Sequence, residues 1–267
     1  MAKLFAITIF VIAIVSAIPI ARHTWWLAPD ISTHGAPIDE QTSDTMWEAG
    51  ISFLASQILL AWFIWRYSGD RPGEKIKNFP GGAKAVVWAA FLLVGTEVMA
   101  LGIFGVKAWA TVYLTPPAAN AVPVQVQAGQ FAFYFRYPGP DGTFGPTHPE
   151  MISESNENFF GLDQTHDADS KDDIVTAEMA IPVNREVHLL MHSKDVGHSF
   201  FVPELRVQQD FVPGLDLSVH FTATKIGRYE IVCTQLCGLG HYNMKAYLSV
   251  MSQNDFDDWL KKQAALQ

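Results

Sequence analysis

Cysteine is nearly absent from this 267-residue chain, which holds only Cys233 and Cys237, four positions apart. That excludes a small secreted fold stapled by several disulfides, yet leaves a close pair free for metal or redox chemistry. Positive charge is scarce towards the C-terminus. Residues 116–267 carry ten Lys and Arg against nineteen Asp and Glu, whereas residues 1–115 carry eight of each, so the whole net charge of -9 belongs to the C-terminal part. Such a surface repels nucleic acid, and none is expected as a partner. It is either an ordinary solvated face or one that attracts a basic protein in a salt-dependent way. Internal repeats and low-complexity tracts are lacking too, and the length leaves no room for a second large domain beside one ordinary domain and an anchor.

What the chain does have is long apolar runs. Hydrophobic residues make up 49% of it and the mean hydropathy is +0.13. Three stretches, at about residues 4–21, 46–66 and 86–108, each approach the ~20 residues needed to cross a hydrocarbon core of ~30 Å. Between the second and third lie Arg66, Arg71, Lys75, Lys77 and Lys84, opposed only by Asp70 and Glu74. The positive-inside rule makes that loop cytoplasmic, so the third stretch runs outward and everything after residue 115 is delivered to the outer side of a bacterial inner membrane. The first stretch reads as an uncleaved third helix; the alternative is a secretory signal cut after Ala17 in Val15-Ser16-Ala17. Trp25 and Trp26, then Trp62, Trp65 and Tyr67, then Trp109 and Tyr113 fall where membrane interfaces should lie. Glu97 sits inside the third stretch, where a carboxylate is costly; it either bonds a neighbouring helix or handles protons.

After Thr115-Pro116-Pro117 the pattern turns to strands. Short runs at residues 122–127, 130–137, 174–181, 186–192, 217–222, 228–233 and 245–251 are rich in β-branched and aromatic residues and separated by turn formers. The expected fold is therefore a membrane-anchored all-β chain: two or three transmembrane helices in residues 1–115, then a Greek-key sandwich or barrel in residues 116–267. Residues 139–173, with nine acidic residues and Lys171 as the sole basic one, read as an exposed insertion between strands. Ser252 and Asp255 mark the start of a short C-terminal helix with Phe256, Trp259 and Leu260 on its apolar face.

The most specific segment is Cys233-Thr-Gln-Leu-Cys237-Gly-Leu-Gly-His241-Tyr-Asn-Met244. Thiolates, imidazole and thioether suit copper, and a weak Met ligand tunes its potential. Two cysteines on one tight loop can each bridge two copper ions; His241 caps one ion, and His198 in Val196-Gly197-His198-Ser199-Phe200 is the candidate for the other. Other readings of the same residues are a structural zinc held by Cys233, Cys237, His241 and His198, which would not use Met244, and a Cys233–Cys237 disulfide. A single-copper carrier uses one cysteine. The other histidines, His23, His34, His148, His166, His188, His192 and His220, are expected to be surface or strand residues.

Taken with the preceding helices and strands, these motifs resemble subunit II of cytochrome c oxidase, over roughly residues 40 to 265. The resemblance implies a cupredoxin fold with a binuclear copper centre, CuA. Its ligands would be His198, Cys233, Cys237, His241, Met244 and the backbone carbonyl of Gln235. It implies an electron-transfer subunit of an oxidoreductase and translocase, with no catalytic residue in this chain. Its partners would be a c-type cytochrome donor, the haem-bearing subunit I, where O2 is reduced and protons are pumped, other oxidase subunits and the lipid bilayer. Three departures stand out. Phe131, in Gln130-Phe-Ala-Phe-Tyr-Phe-Arg-Tyr-Pro138, replaces the tryptophan that usually accepts the electron, leaving Phe131 and Phe133 as candidates. Gln235 replaces a glutamate that helps bind magnesium at the subunit interface, which puts that ion in doubt. Ala85, near Trp88, stands where relatives often have a glutamate at the mouth of a proton channel. Quinol oxidases of the superfamily generally lose the copper ligands, and nitrous oxide reductase needs a further large domain.

Overall fold

The computed structural model describes residues 1–22, 27–68 and 82–266. His23, Trp25, Trp26 and the loop residues Asp70, Arg71, Glu74, Lys75 and Lys77 lie outside the described residues. The chain divides into two compact units, Met1–Ala28 with Pro37–Ala108 and Pro29–Ala36 with Trp109–Gln267.

The first unit is built from helix α1 (Ala2–Arg22) and from all but the first residues of α2 (Gly35–Tyr67) and the last residues of α3 (Gly82–Tyr113). All three contain segments long and apolar enough to cross a membrane. On α1 the buried residues Ala6, Ile9 and Ala13 recur every three or four positions and form one stripe, while Phe5, Phe10, Val11 and Ile14 stay exposed, as lipid-facing residues do. Lys3 Nζ lies 5.5 Å from the ring centre of Trp65 near the end of α2. Gly50, earlier in α2, faces Ile20 so closely that an added Cβ would stand 2.7 Å from its Cγ2. These contacts make α1 and α2 antiparallel. From α2, Gln41 Nε2 donates to the Leu101 carbonyl of α3 at 3.1 Å. The second helix starts well before the apolar run at residue 46, because Pro37 is tolerated in its first turn and Thr42 and Thr45 bond carbonyls four residues back.

The second unit packs two five-stranded sheets over one core. One sheet has the order β3-β2-β1-β5-β8, with β1 Val122–Gly129, β2 Ala132–Tyr137, β3 Ile174–Thr176, β5 Glu186–Ser193 and β8 Leu217–Thr222. The other has the order β4-β10-β9-β6-β7, with β4 Met179–Pro182, β6 His198–Val202, β7 Val207–Phe211, β9 Gly227–Val232 and β10 Lys245–Met251. Two pairings are parallel, β1 with β5 and β4 with β10; the others are antiparallel. The run expected as one strand over residues 174–181 breaks in two, and its halves join opposite sheets. Strand β5 shows the expected alternation, with Val187, Leu189 and Met191 inward. Helix α4 (Gln253–Ala264) is capped by Ser252, whose hydroxyl accepts from the Asp255 N–H, and it buries Phe256 beside Tyr137. The Tyr137 hydroxyl donates to the Ala180 carbonyl and accepts from the Ala180 N–H, both at 2.8 Å, so this buried polar group is satisfied.

Residues 139–173 are not simply exposed, as their charge had implied. Phe160 and Leu162 are buried, and Asp173 is paired with Arg136 of β2, both side chains fully enclosed. Arg136 also donates to the Gly145 carbonyl at 2.6 Å and to Gln125 Oε1 at 2.9 Å, while the Gly145 N–H donates to Asp173 at 3.0 Å. The guanidinium is tolerable at this depth because its N–H groups are used in this way, whereas Asp173 Oδ1 has no hydrogen-bond partner among the described residues and burial raises the Asp173 carboxyl against the pull of Arg136.

Candidate metal centre

The connection from β9 to β10 carries most of the predicted ligands, and its ends are tied together where the Cys233 N–H donates to the Met244 carbonyl at 3.2 Å. Strand β6 lies beside β9, with Phe201 opposite Val232, and so brings His198 from a distant part of the sequence to the base of the same loop. Ligand atoms of His198, Cys233 and Cys237 lie within 4.8 Å of one another, and all three residues are buried. The sulfurs of Cys233 and Cys237 are 3.8 Å apart and both cysteines are free, so the disulfide is not formed. From Cys237 Sγ, His241 Nδ1 is 3.7 Å away and Met244 Sδ also 3.7 Å; the Gln235 carbonyl oxygen is 3.2 Å from Cys233 Sγ. All six residues expected around the metal therefore converge.

Two further observations test whether this set fits a metal. His198 is fully buried; its Nε2 meets Asp195 Oδ1 at 2.8 Å, whereas its Nδ1 has no hydrogen-bond partner among the described residues. A buried imidazole nitrogen left unpaired beside two thiols is the state expected of a ligand, with the carboxylate fixing ring orientation from behind. Burial alone would raise the Asp195 carboxyl, but hydrogen bonds from His198 and from the backbone N–H groups of Gln130 and Val196 outweigh it and hold the group below the usual carboxylate range. Burial, then the neighbouring Cys233, pushes the Cys237 thiol from 9.0 up to about 11. The residues thus fit soft-metal chemistry, with sulfur and nitrogen donors gathered and few competing partners.

Asp195 and Gln130 escaped the reading of the sequence as contributors to this centre. Asp195 stands three residues before His198, a spacing that could have flagged it as an orienting carboxylate. Gln130 offered no such signal. Phe131 is 41% exposed, and its ring lies against the ligand loop: a Cβ added at Gly240 would come within 2.5 Å of it. Phe133 is elsewhere, buried in the core beside Phe211 with ring centres 6.0 Å apart, so it has no surface to offer a donor. Glu97 is half-buried on α3. Among the histidines expected at the surface or in strands, His34 departs: it is buried, burial lowers its pKa against the opposing pull of Asp30, and its Nε2 lacks a partner among the described residues.

Helices long and apolar enough to span a membrane, followed by a β-sandwich with sulfur and imidazole donors gathered at one loop, are the features of a membrane-anchored protein with a candidate metal site. A family model described as cytochrome C oxidase subunit II, periplasmic domain, matches residues 158–251. The alternative cytochrome c oxidase subunit 2 of Bradyrhizobium diazoefficiens is 31% identical over 262 residues, 97% of this chain and 91% of that protein. Cytochrome c oxidase subunit 2 of Thermostichus vulcanus is 41% identical over 93 residues, 35% of this chain and 28% of that protein. Among solved structures, the periplasmic domain of subunit II of cytochrome oxidase from Bradyrhizobium japonicum aligns with a TM-score of 0.41 and 24% identity over 56% of this chain and 96% of that one. The chain belongs to the cytochrome c oxidase subunit II family. It is a second subunit of a haem-copper oxidase, and its sandwich is of the cupredoxin-like kind.

Proposed function

We propose that this chain holds a binuclear copper centre through His198, Cys233, Cys237, His241, Met244 and the carbonyl of Gln235, and serves as the electron-receiving subunit of the oxidase. When bound, the copper pair supplies a one-electron relay between a c-type cytochrome and the haem of subunit I, where O2 is reduced and protons are pumped. The observation that carries this reading is the convergence of two free thiols, a thioether, a carbonyl oxygen and the unpaired Nδ1 of His198 in one buried place. Zinc in a Cys2His2 cage would leave Met244 Sδ, 3.7 Å from Cys237 Sγ, without a task.

The residues here position and insulate. Cys233 and Cys237 offer the thiolates; Asp195 holds the His198 ring; β9, β10 and β6 fix the ends of the loop, so the donor geometry changes little with charge state. Phe131 reaches both solvent and the ligand loop, and it is the aromatic through which the donor's electron arrives. The Gln235 side chain is neutral and offers no carboxylate to magnesium, so that ion is not assigned to this chain. Glu97 on α3 is the candidate for proton-related work. The basic residues between the second and third apolar stretches of the sequence support a C-terminal unit on the outer side of a bacterial inner membrane, where its net negative charge would face the donor.

Rapid mixing of the assembled oxidase with a reduced basic c-type cytochrome tests this. Copper-dependent electron uptake that slows as salt rises is expected. Uptake indifferent to both copper removal and salt would contradict it.

A further inference from the structure

We infer that Gln130 is a positioning residue that straps together the two chain segments bearing the metal ligands, and thereby sets how tightly and in what electronic state the centre holds copper. The inference rests on the copper reading above. Gln130 occupies the turn between β1 and β2, in the opposite sheet from His198 and from the strands that carry the ligand loop. It makes two contacts of different kinds. Its backbone N–H donates to Asp195 Oδ2 at 2.7 Å, and the other oxygen of that carboxylate meets His198 Nε2 at 2.8 Å. Its side-chain Nε2 donates to the backbone carbonyl of Cys237 at 2.6 Å. One residue therefore reaches a ligand imidazole through one intermediary and a ligand cysteine directly.

The loop is shaped to receive this strap. Gly238 follows Cys237 with φ +132, a conformation that L side chains rarely adopt, and a Cβ there would stand 2.8 Å from Gln130 Nε2. Any side chain at that position would push the amide off the Cys237 carbonyl. The Cys237 carbonyl belongs to the peptide unit next to the sulfur-bearing Cα, so fixing its direction limits where Sγ can point. Groups that hold metal ligands from behind in this way typically change metal affinity by about 10- to 100-fold when removed.

The test compares the full-length wild-type chain with Gln130→Met, which keeps side-chain length and removes the donor. Each is loaded with copper and followed by chelator competition and electron paramagnetic resonance; thermal unfolding of the metal-free forms serves as the control. The expected result is two coppers per variant chain at saturation, affinity on the order of tenfold lower than wild type, a changed copper hyperfine pattern, and metal-free unfolding close to wild type. A merely structural role would lower metal-free stability and leave the hyperfine pattern of the loaded protein alone. Affinity and hyperfine pattern both equal to wild type would overturn the inference while leaving the copper reading intact. A wild-type chain without paired copper would instead sink the copper reading. If Gln130→Met does not fold, Gln130→Asn, whose amide falls one methylene short of Cys237, replaces it with the same two outcomes.

Discussion

The Cys237 thiol is enclosed by Cys233, His241 and Met244, and in the metal-free protein its pKa is about 11, raised first by burial and then by Cys233. Copper binds thiolate, so loading at neutral pH must expel this proton. At pH 7 the thiol is overwhelmingly protonated, and each pH unit between ambient and its midpoint adds about 1.4 kcal/mol to the cost of ionising it. A thiol raised in this way stays protonated as pH falls, so the proton competes with metal and affinity drops about tenfold per pH unit for this proton at neutral pH and below. Calorimetric titration of the metal-free full chain, repeated in buffers of different ionisation enthalpy, counts the protons released. Cys237→Ser should release about one fewer than wild type. Affinity that is flat between about pH 6 and 8, or a proton count unchanged in Cys237→Ser, would refute the reasoning.

Two other perturbations probe separate parts of the account. Arg136→Met strands the buried Asp173 and should lower the stability of the sandwich by ~3–5 kcal/mol, about 10 °C in thermal unfolding, with much of the loss recovered in the double variant Arg136→Met/Asp173→Leu. Met244→Leu removes a weak thioether donor while keeping bulk, so redox titration should show a shifted potential with copper content near wild type.

Chemistry was more legible in the sequence than architecture. The ligand loop could be read because all but one of its side-chain ligands lie within one short segment, and spacing alone constrains such a loop. Apolar runs revealed which segments can cross a membrane but not where helices end: α2 begins at Gly35, ahead of its apolar run, because polar residues can continue a helix that hydropathy does not see. Period-two alternation distinguishes inward from outward positions, yet it does not say which sheet a strand joins, so β3 and β4 looked like one strand. Strand β7 was missed because, at the edge of its sheet, it buries only Val207 and Phe211. The acidic stretch hid its anchor, since Asp173 finds Arg136 only once β2 and β3 are paired. The strap from Gln130 was invisible for the same reason: a glutamine in a strand-like run acquires a role only when the loop folds over it.

Metal analysis joined to electron paramagnetic resonance on the copper-loaded full-length chain tests the central claim most directly. Two coppers per chain and one unpaired electron spread over both nuclei are expected, a signal lost in Cys233→Ser or Cys237→Ser. A single localised copper signal, or one zinc per chain in its place, would contradict it.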